Sequence, residues 1–161
     1  MLKKIDKLLA KGLREGFAGG TKMEKSLRGS FHLESSHFEN KDNIYHDEWF
    51  ADRAGGGQEI VRIGKITYTR VYAGGTISLG KLKTLKISKG DIMTFLKKQI
   101  VENGEKIRLH SSFEPKAEGD WQYSYKILDA DKEIPTTLGK EVIKYKRNLV
   151  FIHCFIISPV D

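Results

Sequence analysis

Leu2, Ile5, Leu8, Leu9 and Leu13 recur at spacings of three and four, which places them on one stripe of an amphipathic helix. Gly16, Gly19 and Gly20 follow and predict its end. A second helix is predicted to start at Ser88, an N-cap with Asp91 three residues on. It carries the stripe Ile92, Phe95, Leu96 and Ile100 and stops at Asn103-Gly104. Elsewhere the period falls to two. Trp121, Tyr123, Tyr125 and Ile127 alternate with Gln122, Ser124 and Lys126, and Tyr68, Arg70 and Tyr72 alternate with Thr67, Thr69 and Val71. Both patterns predict strands with unlike faces. Leu149 to Ile157 is apolar on both faces apart from His153. That run predicts a central strand covered on both sides, or one facing a partly enclosed cavity.

The order of elements repeats. GQEIVRIGKITYTRVY, from Gly57, aligns with GKEVIKYKRNLVFIHC, from Gly139, at a constant offset of 82. Gly57 meets Gly139, Glu59 meets Glu141, and Ile60-Val61 meets Val142-Ile143. Upstream, Ser35-Ser36 meets Ser111-Ser112 and, after a one-residue gap, Phe38-Glu39 meets Phe113-Glu114. The pattern predicts one α+β domain over residues 1–161, built of two α-β-β-β-β halves at about 1–80 and 84–161. The expected arrangement pairs them about a pseudo-twofold, with antiparallel sheet packed against two helices.

Composition narrows the setting. A chain of 161 residues buries roughly 70% of its unfolded surface and needs no covalent staple. Cys154 is its one cysteine, so neither an intramolecular disulfide nor a cysteine metal cluster is available, as suits a reducing cytosol. Charges interrupt the apolar residues of MLKKIDKLLAKGLREGF, unlike a signal peptide, and no window reaches the roughly 20 apolar residues of a membrane span. A soluble, cytoplasmic protein without a membrane partner is expected. The net charge of +7 favours an anionic partner. However, the lysines from Lys81 to Lys98 suit a solvated helix face and linker, so nucleic acid is not the favoured partner.

Candidate chemistry is sparse. Gly55-Gly56-Gly57 precedes Gln58-Glu59 and a strand pattern, whereas a phosphate loop needs lysine and a helix N-terminus. His32, His37 and His46 lie among acids but without a metal-binding spacing, and His37 reads as a surface turn; of these, His46 and Asp47 are the better placed for a metal. No metal or cofactor is expected. His153 and Cys154 are strand neighbours that point to opposite faces, so they form no nucleophile–base pair, and Cys154 reads as a small core hydrophobe. Glu59 and Glu141, repeated at equivalent places, read as structural carboxylates for Arg62, Arg70 or Lys144. An acid/base pair is the rival reading.

The run IYHDEWFADRAGGGQEIVRIGKITYTRVYAGG, through Tyr45, Asp47, Gly57, Glu59, Tyr72 and Gly74, resembles an uncharacterised prokaryotic domain family. GDWQYSYKI and GKEVIKY extend the likeness to most of residues 30–158. Members of that family occur alone or behind a repressor-type helix-turn-helix, which implies sensing or effector binding without assigned catalysis. This chain departs from the fused form, with one helix before its first strands, and from the family's terminal glycine pair, where it has Cys154-Phe155-Ile156.

The expected function is non-catalytic binding of a small molecule in a pocket between the halves. The expected ligand-binding residues are Tyr45, Trp49, Glu59, Arg70, Tyr72, Trp121, Tyr123 and His153. Tyrosine and tryptophan offer apolar bodies with polar tips, and Arg70 would meet an anionic or carbonyl group. An enzyme using Glu59, Glu141 or His153 is one alternative. A basic nucleic-acid- or protein-binding module is the other, and it requires Lys81–Lys98 to be continuous with Lys140, Lys144, Lys146 and Arg147.

Overall fold

The computed structural model describes residues 2–19 and 23–160. Helix α1 (Leu2–Leu13) is followed by a single π-helical turn at Arg14–Ala18. Five strands come next, β1 (Met23–Arg28), β2 (Phe31–Asn40), β3 (Asn43–Ala51), β4 (Ala54–Ile63) and β5 (Ile66–Thr76). Helices α2 (Leu79–Thr84) and α3 (Lys89–Asn103) lead to β6 (Trp121–Ala130), β7 (Thr137–Tyr145) and β8 (Asn148–Val160). All eight strands form one antiparallel sheet in the order β1-β2-β3-β4-β5-β8-β7-β6. The fold is α+β.

Each helix takes the role its stripe dictates. Ile5, Leu8 and Leu9 of α1 pack on Tyr45 and Val61, while Ile92, Phe95, Leu96 and Ile100 of α3 pack on Tyr123, Tyr125, Ile143 and Phe155. Ser88 and Asp91 form the full capping box at the start of α3, which ends at Asn103 with Gly104 beyond. Gly16 lies inside the π turn and Gly19 just after it; Gly20 lies outside the described residues.

The register supports a detailed correspondence between the two parts of the sheet. Tyr45 faces Val61 and Asp47 faces Glu59 across β3–β4, as Tyr123 faces Ile143 and Tyr125 faces Glu141 across β6–β7. Glu59 faces Arg70 on β5, and Glu141 faces His153 on β8. A bulge beside Ile143 and Lys144 shifts the β8 numbering by one, so His153 holds the place of Arg70, and Phe155 that of Tyr72. β5 pairs with β8 at the seam.

The parts differ at their outer edges. The first adds β1, a scarcely buried edge strand, and α2 precedes α3 as an extra turn of helix. In the second, the outermost strand shrinks to a bridge between Phe113 and Tyr125, because Pro115 has no N–H with which to extend the ladder. That bridge gives Phe113 the place of Ser36, one residue out of step with the Ser111-Ser112 alignment.

Of the two settings expected for the last apolar run, the second is observed: β8 is covered on one face only, since the helices lie on one side of the sheet, and there Phe151 and His153 line a partly enclosed recess; Ile156 on the other face is half exposed. Two local expectations are corrected. Cys154 is exposed on that open face for the same reason. His37 sits within β2, paired with His46, because the alternating pattern continues through it to Asn40.

Gly12 decides how closely α1 approaches the sheet. A Cβ there would fall inside the Tyr45 ring, and that side chain is fully buried. Gly12→Ala gains about 1 kcal/mol of helix propensity but overpacks the interface by about 1–3 kcal/mol or more. A net loss of about 1–2 kcal/mol is expected by urea denaturation, because the Tyr45 ring has nowhere to move. An unchanged or raised midpoint would show that α1 can slide.

Candidate functional site

Beneath the helices lies a buried layer of paired charges. Arg70 donates from Nε to Glu59 Oε2 at 2.5 Å and from Nη2 to Glu59 Oε1 at 2.6 Å, while Tyr45 donates to the same Oε1 at 2.8 Å. Arg108 donates from Nε to Glu141 Oε1 at 2.8 Å and from Nη2 to Oε2 at 2.7 Å, and Tyr123 donates to Glu141 Oε1 at 2.6 Å. Bidentate geometry is what allows such ions to be buried. The two units meet where Arg70 Nη1 donates to the Arg108 carbonyl at 2.6 Å. Arg108 holds this position in a left-handed conformation, with φ 58. Bonds at both its carbonyl and its guanidinium offset the strain.

The pairs set the electrostatics. Burial disfavours the Glu141 carboxylate, but Arg108 outweighs it and holds its pKa below the usual range. Burial likewise opposes the charge of Arg108, and Glu141 restores it. Both glutamates are held in bidentate arginine pairs at equivalent places in the sheet. The partner of Glu141, however, is Arg108 from the connection after α3. Lys144 lies on the opposite face of β7.

Above this layer, on the helix side, opens a cleft. Its interior is about 100 Å³ within a wider recess of about 670 Å³ that opens to solvent. Leu13 and Phe17 bound it from α1 and the π turn, Met93 and Leu96 from α3, and Trp49 and Phe151 from the sheet. Phe17 meets Trp49 edge-on with ring centres 6.3 Å apart. One rim is glycine, where Gly55 on β4 faces Gly74 on β5. A Cβ at Gly57 would lie 2.5 Å from the Glu48 carbonyl oxygen and 2.6 Å from the Tyr72 hydroxyl, so that position admits no side chain. The triple glycine is thus strand, shaped by its neighbours, and no helix follows it.

Among the polar side chains that line the cleft, Asp47, Tyr72, Arg108 and His153 come from different parts of the fold. Tyr72 donates to Asp47 Oδ1 at 3.0 Å. Burial and the nearby Glu59 carboxylate push the Asp47 carboxyl well above the usual range, against the Tyr72 hydrogen bond and the charges of Arg70 and Arg108. Burial, then Asp47, raises the Tyr72 hydroxyl. His153 is pushed down to about 4, by burial first and Arg108 second, with Glu141 opposing. Its Nδ1 stands 3.9 Å from Glu141 Oε2, too far for a hydrogen bond.

Of the residues expected to bind ligand, Trp49, Tyr72 and His153 line this cleft together. Tyr45, Glu59, Arg70 and Tyr123 belong to the buried layer beneath it. Trp121 is elsewhere, stacked on Phe95 at 5.1 Å and tilted against Tyr145 at 4.7 Å. Asp47 and Arg108 were not among the expected ligand residues. Asp47 had a visible signal, an acid between Tyr45 and Trp49 on the inward face of β3. Arg108 had none, lying in an irregular connection. His46 leans toward Glu48 at 3.4 Å and tilts against His37, so its partners lie within the sheet.

The lysines named for a nucleic-acid module are divided between the two sides of the sheet. Strand alternation puts Lys140 and Lys144 on the open side of the sheet, whereas Lys89, Lys97 and Lys98 ride on α3 across from it. Lys89 pairs with Asp52, Lys98 with Glu118 and Lys146 with Asp120. Among the described residues, no helix is long and apolar enough to cross a membrane. The chain matches no family model, no curated protein and no solved structure.

Proposed function

We propose that the protein binds a small molecule, without catalysis, in the cleft bounded by α1, α3 and the β5–β8 seam. The observation that carries this reading is the convergence of Asp47, Tyr72, Arg108 and His153 in a recess walled by Leu13, Phe17, Trp49, Met93, Leu96 and Phe151. Pockets of this composition use apolar walls for affinity and a few fixed polar groups for orientation. The walls come from both parts of the chain, which suits a sensor whose ligand holds the parts together. Catalysis through Glu59 or Glu141 is the weaker reading, because both are engaged by arginine and tyrosine under the cleft.

A screen of anionic, neutral and cationic fragments tests the reading. Trp121→Phe leaves Trp49 as the single tryptophan reporter at the cleft wall. Hits are expected to change Trp49 emission and raise the unfolding midpoint, with about 2.7 kcal/mol of stabilisation at a hundredfold excess over Kd. A screen with no hit that moves Trp49 would retire the proposal.

A further inference from the structure

Deep in the cleft lies one buried carboxylate that the protein leaves without an ion-pair partner. Asp47 is 2% exposed and accepts one side-chain hydrogen bond, from Tyr72, and among the described residues no basic side chain lies within ion-pair distance of it. The charges around it are already spoken for. Glu59 from β4 is held by Arg70 from β5, and Arg108 is held by Glu141 through two hydrogen bonds. At the mouth, Lys89 pairs with Asp52, and Arg53 Nη1 donates to the Thr76 carbonyl at 2.6 Å. Burying an unpaired carboxylate is costly, and the raised pKa of Asp47 registers that cost.

The walls point to the same partner. Trp49, Phe17, Tyr72 and Phe151 surround the recess with aromatic rings, whose electron-rich faces attract organic cations. Thr76, also in the lining, has a buried Oγ1 with no protein partner, so the recess still has polar capacity to fill. A carboxylate set among aromatic walls, with the buried arginines beside it already paired to glutamates, is complementary to an ammonium group on an apolar body.

We infer that the cleft takes a compact organic amine in its protonated form, the ammonium against Asp47 and the body against Trp49, Phe17 and Phe151. This rests on the cleft being a binding site, as proposed above. Arg108 does not reverse the sign of the site, since both faces of its charge balance are met by Glu141.

The test compares 2-phenylethylamine, 2-phenylethanol and 3-phenylpropionate, which share a ring and differ in charge. Binding is followed by Trp49 emission in the Trp121→Phe protein and by calorimetry in the full chain. The amine is expected to bind about tenfold or more tighter than either of the others at pH 7, the margin of one charge-assisted hydrogen bond. Asp47→Asn, isosteric and relieved of the buried charge, is expected to fold and to erase the preference while still binding the alcohol. Equal or tighter binding of the alcohol or the carboxylate would overturn the assignment and leave the cleft as a site for another class. A preference that survives in Asp47→Asn would overturn it as well. If none of the three binds, the amine assignment falls, and the binding-site reading falls with it only where the wider fragment screen is also empty.

Discussion

Arg70→Ala is expected to destabilise the fold by about 3–5 kcal/mol, the largest effect of any single truncation considered. Arg70 is fully buried and makes three hydrogen bonds, two to Glu59 and one to the Arg108 carbonyl. Its loss strands a carboxylate away from water and frees a carbonyl at the junction of the two charge pairs. A domain of this size has about 5–15 kcal/mol in total, so the variant should unfold at far lower urea or already be partly unfolded. The size of the loss measures the penalty of the orphaned Glu59 more than the worth of the pair. The double variant Glu59→Gln/Arg70→Met should therefore recover part of it. A single-variant loss under about 1 kcal/mol would mean that the pair is open to water.

Acid should unfold the protein earlier than its carboxylates alone require, through His153. The sign follows from a folded pKa of about 4, below the ordinary 6.5. The unfolded chain takes up a proton as pH falls through 6.5, while the folded chain stays neutral at this ring down to about 4. Stability from this group is complete above 6.5, declines between 6.5 and 4, and levels off below. The loss amounts to about 3 kcal/mol. His110, depressed by burial, adds in the same direction. Asp47, raised by burial, opposes it, because its folded form binds a proton more readily as pH falls. Urea midpoints at several pH values would isolate the effect. The His153→Gln variant should show a markedly flatter decline between pH 7 and 4.5, and an unaltered slope would show that His153 titrates freely.

The helices were legible because each depends on local rules. The stripe of α1 and the capping box of α3 are readable within a dozen residues, and both helices formed where those signals lie. Strand faces were legible for β5 and β6 by alternation, and Glu59 and Glu141 by their repeated setting. The pairing of charges was not. Arg108 reaches Glu141 across 33 positions from a turn with no periodicity, so only the folded connection brings them together. Likewise, the apolar run of β8 hid which of its faces would be covered, since hydrophobic side chains on an open antiparallel face look the same in one dimension as core. Trp121 illustrates the limit for the site. It shares a strand face with Tyr123, yet α3 covers it and closes it off from the cleft.

The correspondence between the two parts of the sheet also predicts occupancy. Where the first part has Asp47, Trp49 and Tyr72 beside the cleft, the second has Tyr125, Ile127 and Phe155 at matching register, with Tyr125 and Phe155 packed under α3. One copy is hollow and polar, the other filled. Titration of the chain with a cleft ligand should therefore saturate at a single equivalent, despite the doubled architecture around it.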